Sequence, residues 1–317
     1  MFRAASRPTR WPPSRLRTPA SLVRGVIVVL CAAGFSAAAP ARPARAQRSV
    51  QGGVGLQVFR FVDHTRVAHF RNGTRGPRTL ITYVRYPTAG QKRLPLVVFA
   101  HGFSVTPAVY AALLDAWTRA GYVVAAPVFP VENADAPGGP DENDLPNEPG
   151  DVRFLLTQLL AASASARSAL HGLIDPSRIA VAGQSDGGVA ALAAAYDAAF
   201  PDRRIRVALI LSGSEVGGIR FRFPAGGPPL LAVQGTADAI NPVRLTYTFF
   251  RAARRPKFLL QLLGAGHLPP YSTNIRYLPV VERVSIAFLD RYLGSGSAAS
   301  LIAAGDVPGR ARLIADP

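Results

Sequence analysis

Residues 179–189 read Ile179-Ala180-Val181-Ala182-Gly183-Gln184-Ser185-Asp186-Gly187-Gly188-Val189. The first four are apolar, as in a strand buried on both faces, and the alanine-rich residues that follow Gly188 carry a helical pattern. Between them, Gly183, Ser185 and Gly187 fit G-x-S-x-G. The pattern is short enough to arise by chance. Its setting, strand before and helix after, makes it a strained turn that lifts the serine hydroxyl above the end of a sheet. Glycine is needed on both sides because a side chain there would collide with a neighbouring strand or helix. The N-terminus of the following helix then faces the reacting oxygen.

Outward from this turn, apolar runs alternate with helical patterns. Residues 56–62 and 79–86 are rich in β-branched and aromatic residues and are separated by the turn signals Asn72-Gly73 and Gly76-Pro77, which predicts two early strands. Further strands are expected at 96–100, 122–126, 179–182, 207–211, 230–233 and 258–262. Helices are expected near 107–120, 150–163, 187–199, 242–253 and 279–293. Such alternation predicts an α/β fold with a mostly parallel central sheet wrapped by helices. Residues 127–150 form a Pro/Gly-rich segment with six acids (Glu132, Asp135, Asp141, Glu142, Asp144, Glu148) and no Lys or Arg. It is expected as a solvated loop at the carboxyl edge of the sheet, its last acids favouring the next helix N-terminus. A lid and a metal site are the other readings.

A serine hydroxyl attacks only when a base removes its proton. Five histidines are available: His64 and His69 in the early strand region, His101 before a glycine, His171 in a polar loop, and His267 in Gly264-Ala265-Gly266-His267 after the last expected strand. Position selects His267. The acid that orients the imidazole is expected between nucleophile and histidine. Asp238 follows strand 230–233 through Gln234-Gly235-Thr236-Ala237, at the same sheet edge as Ser185; Glu215 is the runner-up, ahead of Asp197 and Asp202. Charge developing on a tetrahedral intermediate needs backbone N–H donors. Asp186, directly after the nucleophile, and Phe103, in His101-Gly102-Phe103-Ser104 beyond strand 96–100, are the candidates, with the Asp186 carboxylate expected to point away from that oxygen.

With residues 95–103, 183–188, 234–238 and 264–267 in this order, the chain resembles the α/β-hydrolase branch that groups dienelactone hydrolases, chlorophyllases, platelet-activating-factor acetylhydrolases and cutinase-like polyester hydrolases. The resemblance spans roughly residues 78–293, and 102–127 is similar to the oxyanion loop, helix and following strand of chlorophyllases and polyester hydrolases. It implies the α/β-hydrolase fold, helices on both faces of the sheet, and a triad of Ser185, His267 and Asp238. Gln184 stands where the group usually has histidine, and Asp186 replaces a more frequent apolar, methionine or arginine neighbour. The implied activity is carboxylic-ester hydrolysis of esterase or lipase type through an acyl-enzyme, on a small-molecule, lipid or polymer ester. An amidase or peptidase with the same triad and a non-catalytic binding protein of the same fold are the rival classes. Phe103, Val105, Leu268 and Tyr271 are candidates for an apolar acyl or aromatic site. No cofactor and no metal is expected.

The first 24 residues carry six arginines and no acid, and an apolar run at 25–39 follows, shorter than the roughly 20 residues of a membrane span. Residues 1–46 are expected as a signal peptide cleaved after Ala46, giving a secreted or periplasmic protein with no stable membrane span. The only cysteine, Cys31, lies in that run, so the mature chain has no disulfide. The net charge of +17 falls by eight, to +9, without the arginines of residues 1–46. Lys92 and Lys257 are the sole lysines, and no dense basic run points to nucleic acid. The catalytic domain is expected over 47–294, with 295–317 as a tail after Gly294-Ser295-Gly296-Ser297.

Overall fold

The computed structural model describes residues 49–51, 53–88 and 93–317. The segment expected as a signal peptide lies outside these residues. The described residues form ten strands and six α-helices: β1 (Ser49–Gln51), β2 (Val54–His69), β3 (Arg75–Pro87), β4 (Leu94–Ala100), α1 (Ala111–Arg119), β5 (Val123–Val128), α2 (Glu148–Ala164), β6 (Ile174–Gln184), α3 (Asp186–Tyr196), β7 (Val207–Leu211), β8 (Leu230–Gly235), α4 (Val243–Ala252), β9 (Lys257–Leu262), α5 (Leu278–Leu293), α6 (Ala298–Gly305) and β10 (Ala311–Asp316).

All ten strands join one sheet in the order β1-β2-β3-β5-β4-β6-β7-β8-β9-β10. From β5 to β9 the neighbours are parallel, and the strands at each end add antiparallel. The early pair is longer than its apolar runs: β2 and β3 form a hairpin closed at Asn72-Gly73, where Gly73 takes φ +84° and Phe70 N–H donates to Thr74 O at 2.9 Å. Alternation along each central strand divides the core into two layers. Val98, Val181 and Ile210 face α2, α3 and α4, whereas Val97, Ala182 and Leu209 face α1, α5 and α6. This is the α/β-hydrolase fold, with helices on both faces.

Two expectations are corrected. Residues 295–317 do not trail away: α6 follows, with Ser297 Oγ capping it at Ser300 N–H, and β10 pairs along the whole of β9, which otherwise ends the sheet with an unpaired edge. The acidic segment is not simply a solvated loop. Asp135 and Glu142 are exposed, but Glu132, Asp144 and Glu148 are buried, as is Asp151 on α2. Asp144 and Asp151 clasp the buried guanidinium of Arg78 from β3 with four bonds of 2.6–2.8 Å. Burial lowers the Arg78 pKa, and the bonds to the two aspartates more than reverse this, so it stays charged. The segment is thereby stapled to the antiparallel side of the sheet.

Candidate active site

Strand order reverses around β4, which passes to β5 on one side and has β6 on the other. Crevices at the carboxyl ends of such strands are where open α/β sheets bind ligands. Gly102 and Phe103 leave the end of β4, and Ser185 leaves the end of β6. Ser185 sits at φ +58°, ψ −121°, a conformation a side-chain-bearing residue keeps only when its surroundings hold it. The surroundings are backbone. A Cβ on Gly183 would lie 2.0 Å from Gly187 O, and one on Gly187 would lie 2.1 Å from Ala100 O. Helix α3 therefore starts hard against β4, and the hydroxyl stands clear at its N-terminus.

Three sequence candidates meet here. His267 Nε2 lies 2.8 Å from Ser185 Oγ, and His267 Nδ1 lies 2.8 Å from Asp238 Oδ2. The Asp238 carboxylate is held in place from every side: Oδ1 accepts from Ile240 N–H (3.0 Å) and Asn241 N–H (2.9 Å), and Oδ2 also accepts from Gln234 Nε2 (3.1 Å). Burial alone would raise its pKa, but the bonds from His267 and Asn241 outweigh it and hold the group below the ordinary aspartate value. An ionised carboxylate that only accepts fixes the proton on Nδ1 and leaves Nε2 free to take one from serine.

The other candidates lie elsewhere. Glu215, half-buried on the loop after β7, makes no hydrogen bond to His267. Asp197 closes the C-terminus of α3 by accepting from Ala199 N–H, and Asp202 pairs with Arg204. His64 and His69 are on β2, and His171 lies in the turn before β6.

The Phe103 N–H has no acceptor among the described residues, and Asp186 N–H, at the first position of α3, has none within its helix. The Asp186 carboxyl is half-buried, its Oδ2 without a donor. Burial, then the charge of Glu142, pushes its pKa up to about 6, with His267 opposing. Of the apolar candidates, Phe103 is 36% exposed, and Val105 and Leu268 are half-buried. Tyr271 is corrected: it is fully buried, its hydroxyl bonded to Ser212 Oγ at 2.8 Å and donating to Val233 O at 3.1 Å, so it supports the site from the core.

His101 acquires a role that its sequence position did not suggest. Phe129 N–H donates to His101 Nε2 at 3.0 Å, so the proton sits on Nδ1, which donates to Gly102 O at 2.8 Å. Complete burial pushes its pKa down to about 4, the Gly102 bond opposing, so the ring is neutral. In a trans peptide the carbonyl and the following N–H point opposite ways. Holding Gly102 C=O toward the buried His101 ring therefore turns Phe103 N–H away from it. A cavity of about 990 Å3 beside Phe200 and Arg222 lies beyond the C-terminus of α3 and takes no part in this arrangement.

A family model for chlorophyllase matches residues 59–221. The chain belongs to the chlorophyllase family. As a member it is a hydrolase of the α/β-hydrolase type, and the match runs from within β2 into the loop after β7, including the turn at Ser185 and the loop of Phe103. Asp238 and His267 lie beyond the matched stretch, so in this chlorophyllase-family chain their case rests on geometry. No curated protein matches the chain.

Proposed function

We propose that the chain is an exported serine carboxylic-ester hydrolase that works through an acyl-enzyme, with Ser185 as nucleophile, His267 as general base and acid, and Asp238 as the group that orients the imidazole. The observation that carries this reading is the continuous relay of two 2.8 Å contacts from Asp238 through His267 to Ser185. As Ser185 Oγ attacks the ester carbonyl, its proton passes to His267 Nε2. The oxyanion is met by the N–H groups of Phe103 and Asp186. The imidazolium then gives its proton to the departing alcohol, leaving the acyl group on Oγ. Water, deprotonated by Nε2, attacks the acyl carbon; the acid leaves and Oγ regains its proton. Asp238 stays ionised throughout.

Phe103 and Val105, after β4, and Leu268, next after His267, are exposed or half-buried apolar residues beside the relay in sequence and suit an acyl chain or aromatic group. Export rests on the arginine-rich and apolar order of residues 1–46. Among the described residues no helix is long and apolar enough to cross a membrane. The test is turnover of p-nitrophenyl esters from acetate to palmitate by the purified protein, with Ser185→Ala and Glu215→Ala alongside. Turnover abolished in the first and kept in the second supports the reading, and the chain-length optimum separates esterase from lipase. Folded protein that cleaves amides but no ester of the series overturns it.

A further inference from the structure

Glu132 and Glu148 lie outside the relay. Glu132 belongs to the segment after β5 and Glu148 is the first residue of α2; both are 0% exposed, and their carboxyls are within hydrogen-bonding reach of each other. None of their four carboxyl oxygens receives a bond from an N–H or O–H donor among the described residues. Two carboxylates only accept, so in contact they repel; one retained proton turns one of them into a donor. An uncompensated buried charge costs several kcal/mol, and among the described residues no donor bonds these oxygens. The groups facing the pair are Asp186 on α3, Asp144 and Glu142 in the turn before α2, and Asp151 on α2 itself. The nearby cations are engaged: Arg78 with Asp144 and Asp151, Arg66 with Asp63 and Asp151.

The pair touches the oxyanion loop through the backbone. Ser104 N–H donates to Glu132 O at 2.8 Å, and Ser104, next after Phe103, sits at φ +58°. A serine stays in that region only while its neighbours impose it.

We propose that Glu132 and Glu148 share one proton at neutral pH and act as a positioning pair for the oxyanion loop. While the proton is held, α2 and the segment carrying Glu132 stay together, and the Glu132 carbonyl fixes Ser104 and so the direction of Phe103 N–H. When it is lost, the two carboxylates repel and the loop loses its anchor. Burial, then the field of Asp186, pushes Glu132 up to about 9, and burial with the Glu132 charge pushes Glu148 up as well. A carboxyl raised on folding binds its proton more tightly in the folded chain. Its contribution to stability is complete below the ordinary glutamate value and is lost as pH rises through about 9.

The experiment compares the full chain with Glu148→Gln and, separately, Glu132→Gln, by thermal melting and by ester turnover across pH. In either variant the amide donates to the remaining carboxylate with no proton to lose. Wild-type kcat is expected to fall by at least about tenfold between roughly pH 7.5 and 10 with KM little changed, and the glutamine variants to flatten that fall. Their Tm should exceed the wild type's at about pH 9 and lose that advantage near pH 4.5. A Tm difference independent of pH overturns the shared proton. One that grows with pH while kcat profiles stay parallel overturns the link to the loop. The turnover arm rests on the esterase reading; a chain that hydrolyses no ester but shows the pH-dependent Tm difference fails that reading and keeps the proton pair.

Discussion

Replacing Asp238 by asparagine exchanges one carboxylate oxygen for an NH2 group and, through it, changes a tautomer. Oδ1 accepts from two backbone N–H groups, so the turn after β8 selects the asparagine rotamer that keeps a carbonyl oxygen there. The amide NH2 then occupies the place of Oδ2, 2.8 Å from His267 Nδ1, where it can only donate. Nδ1 must accept, the proton moves to Nε2, and Nε2 no longer accepts from Ser185. Flipping the amide would restore the tautomer but leave two buried N–H groups facing an NH2, about 1–3 kcal/mol each. Gln234 Nε2 favours the flip by about one such bond, so the wrong tautomer leads by roughly 1–3 kcal/mol. With the loss of negative charge beside the imidazolium, kcat should fall about 10³- to 10⁴-fold, or about 4–5.5 kcal/mol, with KM within about threefold. The assay is p-nitrophenyl butyrate turnover at about pH 8, with thermal melts showing both variants folded and Glu215→Gln as control. A loss below about tenfold for Asp238→Asn, or a larger loss for Glu215→Gln, refutes the orienting role of Asp238.

Two other substitutions probe the surrounding structure. His101→Phe keeps the buried volume but frees the Gly102 carbonyl, so kcat should drop about ten- to a hundredfold at nearly constant KM; a change under about threefold in folded protein removes His101 from the positioning of Phe103. Arg78→Met leaves Asp144 and Asp151 buried without their cation, which should destabilise the fold by about 3–5 kcal/mol and lower Tm by roughly 10 °C; an unchanged Tm would mean that the clasp holds nothing together.

The turn at Ser185 was legible because close backbone approach writes itself locally: Gly183 and Gly187 are glycine for contacts with residues in β4 and α3 that permit no Cβ. Asp238 and His267 were legible by position, each just past a parallel strand at the same edge. What stayed hidden depends on partners distant in sequence. Nothing within residues 127–150 announces that Asp144 is buried, since its counter-charge, Arg78, comes from a strand far upstream. Tyr271 follows His267 among apolar residues that would suit a substrate, but its hydroxyl is committed to Ser212 and Val233 in the core. Strand β10 is six residues long with a weak apolar pattern, and only the open edge of β9 gives it a reason to extend.

Gln184, the departure from the family group's usual histidine, shows how the parts of the site are joined. Its Oε1 accepts from Tyr110 O–H at 2.7 Å, Tyr110 O accepts from Gly102 N–H at 3.3 Å, and its Nε2 donates to His267 O at 3.3 Å. One side chain, the residue before Ser185, thus links the Gly102-Phe103 loop, the serine turn and the His267 loop. An amide suits this because it both donates and accepts and carries no charge at any working pH. Burial raises the Tyr110 pKa, so that hydroxyl keeps its proton as well. His101, neutral by burial, belongs to the same uncharged framework. The backbone pieces on this side of Ser185 are therefore held by bonds that pH does not touch, and on the proposal above an alkaline loss of alignment enters from the other side of the Phe103 loop, where Ser104 N–H donates to Glu132 O.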